Sequence, residues 1–259
     1  MIDYIKCGDC VQLMKKEIPN DYIDLTVTSP PYDNLRTYNG YKWDVEDTIK
    51  ELFRITKSGG VVVWVVNDST IKGNETGSSF KQALTFKEFG FNLHDTMIWV
   101  KDGGGAVGSN KCYTQNFEYM FVFSKGTPKS INLIRDKANM SFGVDKSGVG
   151  RRNPDGTKKI ENRKPSKEFS KRNNWWYIPP QKGCGHPAVF PEQLANDHIL
   201  TWSNEGDIVF DPFLGSGTTA KMAILNNRHY IGFEISDKYC QLALDNISNA
   251  KQQILDNVE

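Results

Sequence analysis

The sequence predicts an α/β fold in which strands and helices alternate along the chain. Over residues 44–66, a helix with one apolar face is followed at once by the buried run Val61–Val66. Over residues 206–234, a buried strand, a glycine-containing turn, a helix and another strand follow one another. Such alternation is typical of a sheet covered by helices. A chain of 259 residues is long enough for one core of this kind with a smaller insertion.

The other elements follow from the same periodicities. Residues 1–10 alternate weakly, residues 11–18 have helical spacing, and Ile23–Val27 alternates as a strand does. In chain order we then expect a helix from Asp44 to Gly59-Gly60, strand 61–66, helix 78–89, strands 94–100 and 117–123, helix 191–201, strand 206–211, a helix to about 227, strand 228–234 and helix 237–251.

Composition excludes several classes of protein. The net charge is +1, so an anionic partner must meet a local basic patch. The five cysteines are odd in number and scattered, which argues against a disulfide framework and for a reducing compartment. Cys7-x-x-Cys10 lacks the second pair of a structural zinc site, so we expect no metal. Without a signal-like amino terminus or a long apolar run, we expect a cytoplasmic protein outside the membrane.

The first candidate site is Thr28-Ser29-Pro30-Pro31-Tyr32, directly after the strand Ile23–Val27. Its two prolines remove two backbone donors and favour extended geometry. We expect the carbonyls of Ser29 and Pro30 to lie beside the Ser29 hydroxyl and the Tyr32 ring as hydrogen-bond acceptors. Acceptors next to a flat aromatic face suit an exocyclic amino group on a planar heterocycle. On these residues alone, a rigid turn or a proline-rich ligand segment is the alternative.

The second candidate site is Gly215-x-Gly217, between a strand and a helix. Such a turn lets a ligand approach the backbone, and the helix amino terminus offers unpaired N–H groups. Glu234 ends the following strand and can accept hydrogen bonds from ribose hydroxyls. With Asp211 before the turn, the pattern indicates an adenosine cofactor. A nicotinamide-dependent oxidoreductase is the alternative, but it leaves the Ser-Pro-Pro-Tyr motif and a basic insertion unexplained.

That insertion spans residues 127–182, where fourteen Lys and Arg face five Asp and Glu and where Trp175-Trp176-Tyr177 closes the stretch. Basic, aromatic and amide side chains bind phosphates and contact base edges, so the insertion predicts nucleic-acid binding; a plain surface insertion is the alternative. The candidate contacts, with one from the polar loop after the first motif, are Arg36, Lys146, Arg151, Arg152, Lys158, Lys159, Arg163, Lys164, Lys171 and Arg172.

Taken together, the motifs resemble the amino-directed DNA methyltransferases, which methylate N4 of cytosine or N6 of adenine with S-adenosylmethionine. The similar segments are Thr28-Ser29-Pro30-Pro31-Tyr32, His186-Pro187-Ala188-x-Phe190-Pro191, Asp211-Pro212-Phe213-x-Gly215-Ser216-Gly217-Thr218 and Gly232-Phe233-Glu234. The catalytic motif precedes the insertion and the cofactor motif, which resembles the circularly permuted β group. The resemblance covers nearly the whole chain outside 127–182.

The resemblance implies a Rossmann-like methyltransferase fold, with a mixed, mostly parallel sheet and helices on both faces. Residues 1–126 and 183–259 would form the catalytic and cofactor-binding domain, and residues 127–182 the target-recognition insertion. The implied cofactor-binding residues are Asp9, Cys10, His186, Pro187, Phe190, Pro191, Asp211, Phe213, Gly215, Gly217, Thr218 and Glu234. Phe117-Glu118 would line the far side of the base pocket. The implied partners are duplex DNA and a second copy of the chain. A separately acting restriction endonuclease is a further implied partner, with a solitary methyltransferase as the alternative.

The implied catalytic residues are Ser29, Pro30, Pro31 and Tyr32. The Ser29 side chain and the Pro30 carbonyl would accept hydrogen bonds from the target amine, and Tyr32 would stack on a base flipped out of the duplex. Two features favour cytosine N4, with adenine N6 as the alternative. They are Ser29, where many adenine enzymes have Asp, and the segment His186-Pro187-Ala188-x-Phe190-Pro191. RNA or protein substrates, or a DNA-binding protein without turnover, are more distant alternatives.

Overall fold

The computed structural model describes residues 2–31, 43–101, 113–144, 150–160, 166–180 and 191–256. The chain forms two compact units. Unit 1 comprises Met1–Asn132 and Asn174–Glu259, and unit 2 comprises Leu133–Asn173.

Helices and strands alternate through most of unit 1, as the sequence predicts. The helices are α1 (Cys10–Glu17), α2 (Val45–Ile55), α3 (Ser78–Glu88), α4 (Glu192–Trp202), α5 (Thr218–Leu225) and α6 (Asp237–Asp256). The strands are β1 (Tyr4–Cys7), β2 (Ile23–Thr28), β3 (Thr56–Val66), β4 (Thr70–Ile71), β5 (Asn74–Glu75), β6 (Asn92–Val100), β7 (Phe117–Ser124), β8 (Lys137–Ala138), β9 (Gly150–Arg152), β10 (Lys158–Ile160), β11 (Phe169–Ser170), β12 (Trp175–Tyr177), β13 (Ile208–Asp211) and β14 (His229–Glu234).

Unit 1 is built on an eight-stranded sheet with the order β1-β14-β13-β2-β3-β7-β6-β12. Strand β7 runs antiparallel to both of its neighbours, and every other pair is parallel, which confirms the mixed, mostly parallel sheet. From β2 the chain continues to β3 on one side, whereas from β13 it continues to β14 on the other. The strand order therefore reverses between β2 and β13, and ligands of open α/β sheets bind at such a reversal.

Helices cover both faces of this sheet. Helices α1, α2 and α3 lie on one face, where Met14, Leu52 and Phe86 are fully buried. Helices α4, α5 and α6 lie on the other, where Leu194 and Ala243 are fully buried. The apolar side chains of the central strands are shared between these two cores, so the parallel strands are buried on both sides.

The predicted end of the second helix is wrong. Helix α2 ends at Ile55, and strand β3 begins at once, before the glycine pair Gly59-Gly60. The pairing of β2 with β3 shifts between Thr56 and Val61, so the intervening residues form a bulge. Gly59 has φ +83°, and a Cβ on Gly60 would lie 2.7 Å from Thr56 Cγ2. The glycines therefore shape a bulge in a strand, and they do not end the helix.

One pair of cysteines is bonded, although the scattered positions argue against a disulfide framework. Cys7 at the end of β1 and Cys240 in the first turn of α6 form a disulfide. Cys10 is a free and buried thiol. Cys112 and Cys184 lie outside the described residues.

Within the described ranges, no helix combines the length and apolarity needed to cross a bilayer. The same ranges contain no group of three or more His, Cys, Asp or Glu side chains placed to hold a metal ion.

Candidate active site

The first motif leaves the sheet at the carboxyl end of β2. Thr28 is the last residue of the strand, and Ser29, Pro30 and Pro31 continue without regular structure. Pro30 is buried, whereas Ser29 and Pro31 are half-buried. The first motif therefore lies at the edge where the strand order reverses. Tyr32 lies outside the described residues, as does Arg36.

Asp211 connects this motif to the glycine turn. It ends β13, beside β2, and its side chain is buried. Its Oδ1 accepts hydrogen bonds from the Thr28 hydroxyl at 2.6 Å and from the Phe213 amide at 3.0 Å. Its Oδ2 accepts one from the Thr219 hydroxyl at 2.8 Å, and Thr219 Oγ1 also lies 3.1 Å from the Val27 carbonyl oxygen. One carboxyl group thus fixes the ends of β2 and β13 and the start of α5.

Burial dominates the acidity of this carboxyl group. It raises the pKa of Asp211 to about 7, the nearby Glu234 carboxylate acts in the same direction, and the hydrogen bonds from Thr28, Thr219 and the Phe213 amide oppose them. The sequence singled out Asp211 but missed Thr219 as its partner. The available signal was a threonine in the first turn of a helix that follows a strand ending in Asp.

The glycine turn leads from β13 into α5. Gly215 and Gly217 have φ +54° and +86°, in the left-handed region that favours glycine. A Cβ on Gly217 would lie 3.1 Å from the Cα of Ala243, so helix α6 leaves little room for a side chain there. Thr218 is the first residue of α5. Phe213, before the turn, packs edge-on against Trp43 with ring centroids 5.2 Å apart.

Glu234 lies at the carboxyl end of β14 and is 7% exposed. Its Oε2 accepts a hydrogen bond from the Gly215 amide at 2.8 Å, and its Oε1 accepts one from the Ser236 amide at 2.9 Å. A carboxylate has about four acceptor positions. Each oxygen therefore keeps capacity for a hydroxyl group of a ligand, while the two amides hold the carboxylate in place.

Asp9 and Cys10 follow β1, the neighbour of β14. The Gly8 amide donates to the Glu234 carbonyl oxygen at 2.8 Å, so this segment lies beside Glu234. Asp9 caps α1, because its Oδ1 accepts a hydrogen bond from the Gln12 amide at 2.9 Å. Burial raises the pKa of the Cys10 thiol to about 12, so it stays protonated and packs as an apolar side chain.

Two polar side chains that the sequence missed, Lys101 and Asn67, lie beside Phe117-Glu118 further along the same edge. Lys101, which follows β6, forms an ion pair with the buried carboxylate of Glu118, and its Nζ lies 4.5 Å from the Trp99 ring centroid. Asn67, which follows β3, donates through Nδ2 to the Phe117 carbonyl oxygen at 3.3 Å. Phe117-Glu118 thus starts β7 between two ordered polar side chains. Since both follow predicted strands, their positions in the chain were the available signal.

Several other predicted site residues lie outside the described part of the chain. They are His186, Pro187 and Phe190 of the expected cofactor pocket, and Lys146, Arg163 and Lys164 of the expected DNA contacts. Pro191 is described, is buried, and immediately precedes α4.

The remaining basic candidates lie in unit 2. Strands β9 and β10 form an antiparallel pair that sets Arg152 opposite Lys158 and Arg151 opposite Lys159. Arg152, Lys158 and Lys171 are exposed. The Arg172 guanidinium binds the Asp136 carboxylate, with Nε donating at 2.9 Å, and holds the pKa of Asp136 below its ordinary value. Arg172 therefore also has a role within the fold of unit 2.

Comparison with known proteins gives a consistent family. The N6/N4 methyltransferase family model, described as DNA methylase, matches residues 23–245. The chain is 59% identical over 247 residues to the orphan methyltransferase M.BamHII of Bacillus amyloliquefaciens, covering 91% of this chain and 92% of that protein. It is 28% identical over 248 residues to the DNA adenine methyltransferase YhdJ of Escherichia coli K12, covering 92% of this chain and 80% of that protein.

Solved structures agree on the fold. The structure of the cytosine-N4-specific PvuII DNA methyltransferase matches with a TM-score of 0.67 and 20% identity, over 99% of this chain and 93% of that one. The complex of M1.HpyAVI with S-adenosylmethionine matches with a TM-score of 0.65 and 20% identity, over 94% of this chain and 98% of that one. These likenesses establish a methyltransferase fold.

Proposed function

Because the chain belongs to the N6/N4 DNA methylase family, we propose that it transfers the methyl group of S-adenosylmethionine to an exocyclic amino group in duplex DNA. The transfer takes place at a specific sequence, and N4 of cytosine is favoured over N6 of adenine. Adenine N6 is the second candidate.

One observation carries this proposal. The Thr28 hydroxyl, directly before Ser29, donates to the Asp211 carboxyl group, directly before the glycine turn, at 2.6 Å. The motif expected to hold the target base and the motif expected to hold the cofactor therefore end neighbouring strands and share a buried hydrogen bond. A direct transfer between two bound molecules needs this proximity of their sites.

The residues at the strand ends fit the cofactor. Glu234 keeps acceptor capacity for two ribose hydroxyls, and the Gly215–Thr218 turn offers backbone groups at a helix amino terminus. We assign Asp211 and Phe213 to the same pocket, and Asp9 and Cys10 to the side of the adenine, where buried Cys10 acts through packing. His186, Pro187, Phe190 and Pro191 complete the proposed pocket. The cofactor supplies an electrophilic methyl group on a sulfonium sulfur.

The proposed role of the first motif is to hold and activate the amine. The amine nitrogen is weakly nucleophilic because its lone pair is delocalised into the ring. The Ser29 hydroxyl and the Pro30 carbonyl accept its N–H hydrogen bonds, which favours a tetrahedral nitrogen that can attack. The new N–C bond would replace the bond between the methyl group and the sulfonium sulfur, and the amine nitrogen would then lose one proton to solvent. Catalysis rests on positioning and electrostatics, without a covalent intermediate on the protein. The base must leave the duplex, and Tyr32 stacks on it there.

Ser29 supports cytosine over adenine in this proposal. Relatives and structural neighbours include a named adenine enzyme and a named cytosine-N4 enzyme, so similarity alone leaves both bases open. The relative at 59% identity is named an orphan methyltransferase. That name supports action without a dedicated endonuclease, in place of the restriction partner considered above. A second copy of the chain stays a candidate partner.

The test is to incubate the protein with S-adenosylmethionine carrying a deuterated methyl group and with mixed-sequence duplex DNA, followed by nucleoside mass spectrometry. We expect labelled N4-methylcytosine. Labelled N6-methyladenine would keep the mechanism and correct the base. Absence of label in DNA, from protein that binds the cofactor, would contradict the DNA substrate and direct the assay to RNA and protein.

A further inference from the structure

A tight turn of unit 2 has a well-defined shape. The turn, Asn139–Val144, is called the apolar turn below. It follows β8, which pairs antiparallel with β11, and the Asn139 amide extends this ladder by donating to the Glu168 carbonyl oxygen at 2.8 Å. Within the turn, the Ser141 amide donates to Asn139 Oδ1 at 3.1 Å, and the Phe142 amide donates to the Asn139 carbonyl oxygen at 2.9 Å. The backbone of the apolar turn is thus fixed by its own hydrogen bonds.

The apolar turn exposes three apolar side chains at alternate positions. The exposed fractions are 98% for Met140, 58% for Phe142 and 52% for Val144. Met140 therefore gains almost no burial from the fold of the chain. Three exposed apolar side chains on one fixed turn are candidates for a binding surface.

Unit 2, which contains the apolar turn, is basic in composition. Unit 2 has twelve Lys and Arg against five Asp and Glu, a net charge of +7 in a chain whose total is +1. Its exposed basic residues include Arg152 and Lys158, opposite each other on β9 and β10. Cations suit the phosphates of a duplex, and apolar side chains suit the faces of stacked bases. The combination is that of proteins that insert an apolar side chain between base pairs.

We propose that the apolar turn inserts Met140 into the base stack of the substrate duplex and occupies the space that the target base leaves. This inference rests on the proposed function, because it requires a duplex substrate whose base is turned out. An unbranched thioether adapts to an irregular gap. Because the backbone of the turn is already ordered, little conformational freedom is lost on insertion.

An anionic lipid surface is the other partner that a basic unit with apolar side chains could meet. Binding in a membrane interface usually uses an amphipathic helix, and the described residues of unit 2 form short strands and turns. The described structure of unit 2 and the family of the chain therefore favour DNA.

The test compares Met140→Ser with Met140→Leu, which keeps an apolar side chain of similar size. Single-turnover methylation is measured on an oligonucleotide duplex bearing the site that the wild-type protein methylates. The measurement is repeated on the same duplex with an abasic site opposite the target base. The free-energy cost of turning the target base out of that duplex is lower, because the base has no pairing partner. On the matched duplex we expect Met140→Ser to be slower by about tenfold or more, since unstacking one step costs a few kcal/mol. Met140→Leu should stay within about twofold, and the abasic duplex should restore Met140→Ser to the wild-type rate.

Each other outcome is informative. Equal rates of wild type and Met140→Ser on the matched duplex would overturn the inference while leaving the proposed function intact. An equal loss on both duplexes would also overturn it, since the abasic site then relieves nothing. If the wild type binds phosphatidylglycerol vesicles and Met140→Ser does not, while methylation is unchanged, the apolar turn would be assigned to lipid binding. A wild-type protein that methylates no DNA would refute the proposed function itself.

Discussion

Two threonines of strand β2 offer a matched pair of substitutions. Thr26 and Thr28 are both fully buried and lie two residues apart. The Thr28 hydroxyl donates to Asp211 at 2.6 Å, whereas the Thr26 hydroxyl has no hydrogen-bond partner among the described residues. Substitution by valine removes either hydroxyl with little change of volume. Comparison of the two variants therefore isolates the contribution of the Thr28–Asp211 hydrogen bond to the free energy of unfolding.

The two substitutions should change the free energy of unfolding differently. A hydrogen bond to a neutral group contributes about 0.5–1.5 kcal/mol and one to a charged group about 1.5–3 kcal/mol. Because the pKa of Asp211 is about 7, near neutral pH the carboxyl group is partly ionised, and Thr28→Val should lower the free energy of unfolding by about 1.5 kcal/mol. Thr26→Val should be neutral or stabilising by up to about 1 kcal/mol, because it removes an unsatisfied buried hydroxyl.

The assay is urea denaturation of both variants at pH 5 and pH 8. The loss from Thr28→Val should be larger at pH 8, because the Thr28 hydrogen bond favours the ionised carboxylate. Equal effects of the two valines, or a loss from Thr28→Val that does not change with pH, would contradict the role given to Asp211.

Three further predictions concern single side chains. His198 is fully buried, and burial lowers its pKa to about 3, so between pH 6.5 and pH 5 the unfolded chain takes up a proton that the folded chain lacks. Relative to wild type, His198→Leu should therefore gain about 1.4 kcal/mol of stability per pH unit of acidification. The same difference in free energy of unfolding between the two proteins at pH 6.5 and pH 5, measured by urea denaturation, would disprove this. Asp211→Asn should have the opposite pH dependence. The raised pKa lets the folded wild-type chain hold an extra proton between about pH 4 and pH 7, and this contribution to stability is lost as the pH rises through 7. Relative to wild type, Asp211→Asn should therefore lose stability on acidification, which calorimetric unfolding at pH 5 and pH 8 measures. Tyr32→Ala should lose methyl transfer but bind S-adenosylmethionine normally, and weakened calorimetric binding would place Tyr32 elsewhere.

The sequence predicted what local patterns determine. Alternating and helical periodicities located β2, β13, β14 and the helices that follow the last two. Asp211 and Glu234 were found because acidic residues at strand ends are a local signal. Gly59-Gly60 misled the prediction because a glycine pair ends helices and also forms bulges, and only the pairing of β3 with β2 distinguishes the two.

Long-range partners could not be predicted. The bond between Thr28 and Asp211 spans 183 positions, and the Cys7–Cys240 disulfide spans 233. Neither pairing is visible until the strand order is known, because it depends on which strands become neighbours. The direction of the Cys10 side chain could not be predicted either. The sequence placed it beside the cofactor, but only the structure shows that its thiol is turned into the core.

The central claim is that the end of β2 activates the target amine while the end of β14 binds the methyl donor. The direct test measures S-adenosylmethionine affinity by calorimetry and single-turnover DNA methylation in the same preparations of Ser29→Ala and Glu234→Gln. Ser29→Ala should keep its affinity and lose most of its methylation rate. Glu234→Gln should bind S-adenosylmethionine about tenfold or more weakly, since one charged hydrogen bond is worth about 1.5–3 kcal/mol. Weakened binding in Ser29→Ala, or unchanged binding in Glu234→Gln, would contradict the claim.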